Sequence, residues 1–265
     1  MKRAARNDTV LSAALLARAA VLDGEVAAAL ARRQTVVAGG KIAEAMAVVN
    51  KVAVDYPRGR ALEGGLRLRL AFLAMRRAEL DALQEQVYSR LGSLGGARGL
   101  RLLKTEVPQD LYTRVMNDNP SRNVGRALPV DSVSWADTQE FCARLSWLLG
   151  TRVRLPTEAE FRVALISSDR GSAGTTASAW TADTSGGHSH ETGQSVPGAA
   201  GIYDLTGNLA EWLQPAEVAS ETAPVAGGSY LDATDAVGRS PVTVVEKRER
   251  ARHIGFRVVV ELPAD

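Results

Sequence analysis

Apolar residues recur at helical spacing through the first third of the chain and lose that regularity afterwards, so the pattern alone divides the molecule. Residues 8–33 and 41–54 are rich in Ala, Leu and Val without an internal Pro, which predicts two helices. Gly39-Gly40 is expected to separate them, and "DYPRG" around Pro57 to close the second. A third, longer helix is expected over 59–91, where Leu62, Leu66, Leu70, Leu73, Leu80, Leu83, Val87 and Leu91 keep one apolar face for many turns. Amphipathic helices of this kind must bury their stripes against each other, against the rest of the chain, or against further copies. "LGSLGGARG", residues 91–99, is a Gly-rich joint. The expected organisation is a helical segment over 1–98, for self-association or docking to another protein, and a second domain over 99–265.

Beyond the joint, helical periodicity returns only at 108–117, in "SWADTQEFCARLSWLLG" and in "TEAEFRVALI". Ser134 with Asp137, and Thr157 with Glu160, have the spacing of reciprocal N-terminal caps, and Gly150 is placed to stop the first of these two helices. This capping accounts for Glu158 and Glu160 better than a catalytic carboxylate pair does. Residues 167–200 are small, polar and Gly-rich, predicting loops. "PVAGGSYL" and "HIGFRVVVEL" read as strands, with a polar, irregular loop or hairpin region between them.

Charge adds an asymmetry. Residues 1–104 hold 18 Lys and Arg against 9 Asp and Glu, whereas 105–265 hold 14 against 21. The basic residues are spaced along helices rather than clustered with aromatics, which argues against nucleic acid as a partner. Cys142 is the only cysteine, so there is no internal disulfide and no cysteine metal cage. No apolar run reaches the length of a membrane span, the basic N-terminus lacks a clean cleavage site, and a cytoplasmic location is the default expectation.

From about residue 102 the chain resembles the formylglycine-generating enzyme (sulfatase-modifying factor) family. The resemblance rests on ordered pieces: "KTEVPQDLYTRVM", "NPSR", "LPVDSVSWADTQEFCARL", "RLPTEAEFRVAL", "GIYDLTGNLAEWL", "GGSY" and "HIGFRVVV". It implies an α+β, C-type-lectin-like domain preceded by an all-α segment that lies outside the resemblance. In the family the stretch matching "YDLTGNLAEW" wraps a structural calcium ion, which implicates the side chains of Asp204 and Glu211 and the carbonyls of Gly207 and Leu209. Two carboxylates and turned-out carbonyls within eight residues suit a hard cation. The alternative is that Asp204 caps the turn and Glu211 pairs with an arginine such as Arg257.

The family's oxidase chemistry uses two cysteines just after "GGSY", where copper is held as thiolate. The matching positions here are Asp232 and Val237, and the family's Trp within the "GN-x-x-E-W" motif is Ala210. Carboxylate and isopropyl groups cannot replace thiolates toward copper(I). Cys142, inside a helix, reads as core packing. The related non-haem iron enzymes need three histidines supplied largely by a preceding helical domain; His188, His190 and His253 all lie outside the helical segment. A metal site from His188, His190 and Glu191 is a weaker reading than a solvated polar loop. Neither copper nor iron is expected, and the chain is expected not to be an enzyme.

What the resemblance leaves is a surface. The segment 231–252 matches the family's active-site face, bracketed by "GGSY" and "IGFR", in which Phe256 is expected in the core and Arg257 as a buried fork to carboxylates. Tyr230, Asp232, Thr234, Asp235, Val237, Arg239, Thr243, Val245 and Glu246 are the candidate binding residues, with a protein ligand at this C-terminal face. The same arrangement resembles the variable proteins of diversity-generating retroelements, which mutate chosen codons of this stretch. Three readings follow: a diversified binding protein, another non-catalytic binding module, or an enzyme with a non-standard site.

Overall fold

The computed structural model describes residues 2–56, 64–95, 99–169, 178–198, 200–237 and 242–263. The expected start of the third helix at 59–63, the middle of the Gly-rich joint, and Arg239 lie outside these described residues. The chain divides into two compact units, Met1–Glu85 with Ser146–Thr151, and Gln86–Leu145 with Arg152–Asp265.

The first unit is built on α1 (Lys2–Ala31), α2 (Thr35–Asp55) and α3 (Gly64–Met75), with α4 (Leu80–Tyr88) beginning in it. Gly39-Gly40 does not interrupt the second helix as expected. The break falls earlier, at Arg33, whose φ of 58° takes the backbone out of the helix. The Gly39 position makes room for a neighbour: a Cβ there would lie 3.3 Å from Cγ of Arg77. The long third helix is two helices, parted by a 3-10 turn at Arg77–Glu79. Its stripe is nonetheless real, since Leu70, Leu73, Leu80, Leu83 and Val87 are fully buried. Ala19, Leu22, Ala45, Val49 and Leu70 form one cluster. Beside it Arg69 Nε meets Asp23 Oδ1 at 3.0 Å.

The second unit carries two four-stranded sheets. β1 (Leu91–Ser93), β2 (Leu100–Leu103), β3 (Arg152–Arg154) and β8 (Val259–Glu261) make the first, in the order β1-β2-β8-β3 and antiparallel throughout. β4 (Ala210–Trp212), β5 (Thr222–Ala226), β6 (Thr243–Glu246) and β7 (Ile254–Gly255) make the second, in the order β6-β5-β4-β7, with β4 and β7 parallel. Of the two expectations for the segment between "PVAGGSYL" and "HIGFRVVVEL", loop or hairpin, the second holds in part: strand β6 forms an antiparallel ladder with β5. The expected strand "PVAGGSYL" ends at Ala226, because Gly227 and Gly228 turn at φ 92° and 66°.

Three further helices follow: α5 (Gln109–Met116), α6 (Trp135–Leu149), whose last turn from Ser146 falls in the first unit, and α7 (Glu158–Asp169). Both expected caps are formed. Ser134 N donates to Asp137 Oδ2 at 2.7 Å while Asp137 N donates to Ser134 Oγ at 3.3 Å. Thr157 N and Glu160 Oε2 repeat the pattern at 2.8 Å, answered by Glu160 N to Thr157 Oγ1. Phe141 of α6 stacks on Tyr112 of α5 at 5.5 Å between ring centres and meets Phe256 edge-on at 5.2 Å. Trp212, fully buried, donates its indole N–H to the Val133 carbonyl at 2.9 Å. Among the described residues no helix is long and apolar enough to cross a membrane.

Gly255 shows how closely the backbones approach where β7 meets the core. A Cβ there would lie 2.7 Å from the Val130 carbonyl oxygen and 2.8 Å from Leu209 Cδ1. Gly255→Ala is expected to cost about 2–3 kcal/mol of stability through overpacking, read as a lowered urea midpoint with an unchanged slope.

Candidate functional site

The loop "YDLTGNLAEW" is organised from below by one guanidinium. Arg257, fully buried, sends Nε and Nη2 to the two carboxylate oxygens of Glu211, each at 2.6 Å. Nη2 also donates to the carbonyls of Tyr203 at 3.0 Å and Asp204 at 3.2 Å, and Nη1 to those of Lys104 at 3.3 Å and Leu103 at 3.4 Å. The planar fork of an arginine is the side chain that can satisfy this many acceptors at once. Asp204, Gly207 and Asn208 all take left-handed backbone angles, at φ 54°, 78° and 57°. Gly207 is required there, since a Cβ would come within 2.4 Å of the Trp180 carbonyl oxygen.

Three buried carboxylates share this region: Glu106, Asp204 and Glu211. Burial pushes the Glu106 carboxyl well above its usual range, and the nearby charges of Asp204 and Glu211 push it further against the opposing pull of Arg257. The shift favours the neutral form of Glu106, which lessens the excess of negative charge around a single guanidinium. Asn208 bridges this layer to the one above: its Nδ2 donates to Glu106 Oε1 at 2.9 Å and to the His190 carbonyl at 3.2 Å, and its Oδ1 accepts from His190 N at 2.9 Å.

Of the positions the resemblance implicates in calcium binding, Asp204, Gly207, Leu209 and Glu211, the two carboxylates differ in how far they are already engaged. Calcium takes six to eight oxygens; both Glu211 oxygens lie in the Arg257 fork and Asp204 Oδ2 accepts from Gly193 N at 2.6 Å, while Asp204 Oδ1 and Glu106 Oε2 are buried without a hydrogen-bond partner. Among the described residues no group of three or more His, Cys, Asp or Glu is placed to hold a metal ion. The geometry favours the pairing of Glu211 with Arg257.

Above this layer lie the candidate binding residues, and they separate into two kinds. Tyr230 and Val237 are buried, and Val237 packs over Gly228, where a Cβ would meet its Cγ2 at 3.0 Å. Neither presents a side chain to a partner, which corrects the expectation for both: each fills space under the loop. Asp232 folds back, its Oδ2 accepting from Ser229 N and Ser229 Oγ at 2.8 Å each. Thr234 opens the single turn α8 (Thr234–Val237) and bonds outward, its N and Oγ1 donating to Asp183 Oδ2 at 2.9 and 2.7 Å. These two bonds hold the Asp183 carboxyl below its usual range. Asp235, Thr243 and Glu246 are exposed and Val245 is half-buried; Leu231 and Val244, not singled out from the sequence, are exposed as well.

The segment 178–198 holds turns, as expected, but "GGHSHETG" is not simply a solvated loop. His190 stacks on Trp180 with ring centres 3.7 Å apart and planes 11° from parallel, and the exposed His188 leans on His190 at 4.6 Å. Ala182 N donates to the Asp232 carbonyl at 2.9 Å, and Ser185 Oγ to that of Tyr230 at 3.3 Å. Trp180, Asp183, His188 and His190 thus adjoin the candidate surface. Sequence reasoning missed Trp180 and Asp183, and weighed His188 and His190 only as metal ligands, because no periodicity marks a stack of rings joined by turns. Cys142 is buried and burial pushes its thiol up, the behaviour of an unreactive core cysteine.

The Glu106 proton has a measurable consequence. Between the unfolded value of 4.5 and its raised folded value, the native state binds a proton that the unfolded chain has lost, so stability falls as pH rises through that window. Glu106→Gln is expected to remove this fall, which amounts to at most about 1.4 kcal/mol per pH unit. Urea midpoints of the two proteins should therefore diverge from pH 4.5 toward neutrality, in favour of the variant.

No curated protein matches the chain by sequence. Among solved structures, variable protein 1 of Treponema denticola superposes with a TM-score of 0.54 at 22% identity, covering 65% of this chain and 91% of that one. PvdO of Pseudomonas aeruginosa superposes with a TM-score of 0.53 at 21% identity, covering 62% and 80%. These likenesses establish a shared fold, of C-type-lectin type. The model of the sulfatase-modifying factor enzyme 1-like domain matches residues 103–262, more than half of the chain, and the protein belongs to that family.

Proposed function

We propose that this protein is a non-catalytic binding module which displays a protein-binding surface on its C-type-lectin-like unit. The observation that carries the reading is the state of the two positions where the resemblance implies copper-binding cysteines. Asp232 is spent on capping Ser229, and Val237 is core. Neither side chain can hold a soft metal or act as a nucleophilic sulfur. Around them the side chains that point outward, Leu231, Asp235, Thr243, Val244 and Glu246, are chemically mixed and rest on a backbone that is tied down by its own hydrogen bonds. A stable framework holding varied exposed positions is the arrangement binding loops use.

The finer reading is that these exposed positions are diversified by a retroelement, as in the variable proteins that share the fold. Attachment is assigned to the helical unit, whose exposed Val10, Val21, Val36, Val54 and Met75 suit self-association or docking.

Two measurements test this. A substitution library over 229–246, sorted for soluble expression, should accept most residues at Leu231, Asp235, Thr243 and Val244 and reject most at Ser229, Tyr230 and Val237. Gene copies from related strains should differ mainly within 231–252 if diversification holds; changes scattered evenly along the chain would overturn it. The enzyme reading predicts aldehyde formation on a cysteine-containing sulfatase-type peptide incubated with the protein and copper; the expected result by mass spectrometry is none.

A further inference from the structure

We infer that the protein-binding surface proposed above takes its partner by strand addition, a mode that presupposes that binding reading. An extended segment of the partner, acidic toward its N-terminal end, pairs antiparallel with the open edge of β6. Among the described residues four strands end the two sheets: β1, β3, β6 and β7. β1, β3 and β7 each hold a buried residue. In β6, by contrast, Thr243, Val244 and Glu246 are exposed and Val245 is half-buried. β6 is thus the edge that another chain can reach along its whole length.

The register fixes which backbone groups this edge presents. In an antiparallel ladder alternate residues turn their N–H and C=O toward the same neighbour. Lys247 N donates to the Glu221 carbonyl at 2.9 Å, so Lys247, Val245 and Thr243 face β5. Val244 lies opposite Pro224, whose carbonyl accepts from Leu213 N at 2.9 Å on the far side, toward β4. Both observations turn Val244 and Glu246 outward. The Glu246 carbonyl is taken by Glu249 N at 2.9 Å. Among the described residues the N–H and C=O of Val244 and the N–H of Glu246 are then left without a protein partner. An antiparallel strand exchanges two hydrogen bonds with Val244 and accepts another from Glu246 N; such main-chain bonds supply affinity and the side chains selectivity.

The side chains around the edge select the occupant. Val244 is 69% exposed beside the half-buried Pro224, so a β-branched or aromatic residue across from Val244 extends an apolar pair. Past the strand come Lys247, Arg248 and Arg250, with Glu249 as the one acid of the run. An antiparallel partner lays its N-terminal residues beside this run, where acidic side chains complement it. The Arg248–Glu246 pair offers little competition, since its side chains are 86% and 59% exposed.

Panning a displayed library of random linear peptides on the full chain tests this, with calorimetry on the recovered sequences. They are expected to carry acidic residues ahead of a β-branched or aromatic stretch. Val244→Pro removes the outward N–H at an edge position, where proline is tolerated. It is expected to weaken these peptides at least about tenfold, whereas Val244→Thr, which keeps the N–H, stays within about threefold. Independently of any substitution, amide hydrogen exchange at Val244 and Glu246 is expected to slow in the wild-type complex. Peptides bound equally well by Val244→Pro, or amides at Val244 and Glu246 that exchange as fast in the complex as in the free chain, would overturn strand addition. If those peptides still lose affinity on Leu231→Ala, the surface itself stands without it. Recovery of no peptide would also overturn strand addition and leave the surface to folded partners. Self-association of the free chain that Val244→Pro abolishes would make a second copy the occupant, against this assignment.

Discussion

The second unit is organised around the Arg257–Glu211 pair. One guanidinium joins four stretches of chain that are far apart in sequence: the end of β2, the turn at Tyr203–Asp204, strand β4 through Glu211, and its own segment between β7 and β8. Removing a charge from water is expensive, and a buried pair of this kind contributes less to net stability than its short distances suggest. Its larger effect is on uniqueness. With either partner truncated, the other is left as an uncompensated buried charge, a loss of about 3–5 kcal/mol. The upward shift of the Glu106 carboxyl belongs to the same balance, since burial and the neighbouring carboxylates outweigh the pull of the one guanidinium.

From this base the structure rises in layers. Asn208 passes the constraint upward by bonding to Glu106 below and to the His190 backbone above. The Trp180–His190 stack and the Ala182 and Ser185 bonds pass it on to the 229–237 turn. Most of these links end on backbone atoms or on residues that point inward. The conformation of the displayed segment is therefore set largely by groups other than the displayed side chains, which is the property a surface needs if its residues are to change without collapse of its shape.

Much of this was legible in the sequence, and the failures are instructive. The two capping pairs, the Arg257 fork and the buried helical stripe depend on local spacing or on a short motif, and each is where the pattern puts it. Gly39-Gly40 was misread as a break because glycine is a poor helix former in isolation; in the folded unit, the bare backbone of Gly39 lets the Arg77 side chain lie close. Val237 was read as exposed from its position in the resemblance, but a single helical turn at 234–237 rolls it under the loop. The stack of Trp180 and His190 joins residues ten apart through turns, and no periodic signal announces it. In each case what was hidden is a tertiary contact between segments without regular spacing.

Among the described residues β6 ends its sheet, with its partner β5 on one side and no strand on the other. An open edge is a template for another chain, and a fold meant to remain dispersed must discourage indiscriminate stacking. Directly after β6 comes "KRER", residues 247–250, with Glu246 and Arg248 paired at 2.7 Å at the start of the run. The density of ionic groups beside the last strand makes a second copy a poor fit there. The exposed segment that precedes β6 is thus bordered by charges that discourage fibre growth.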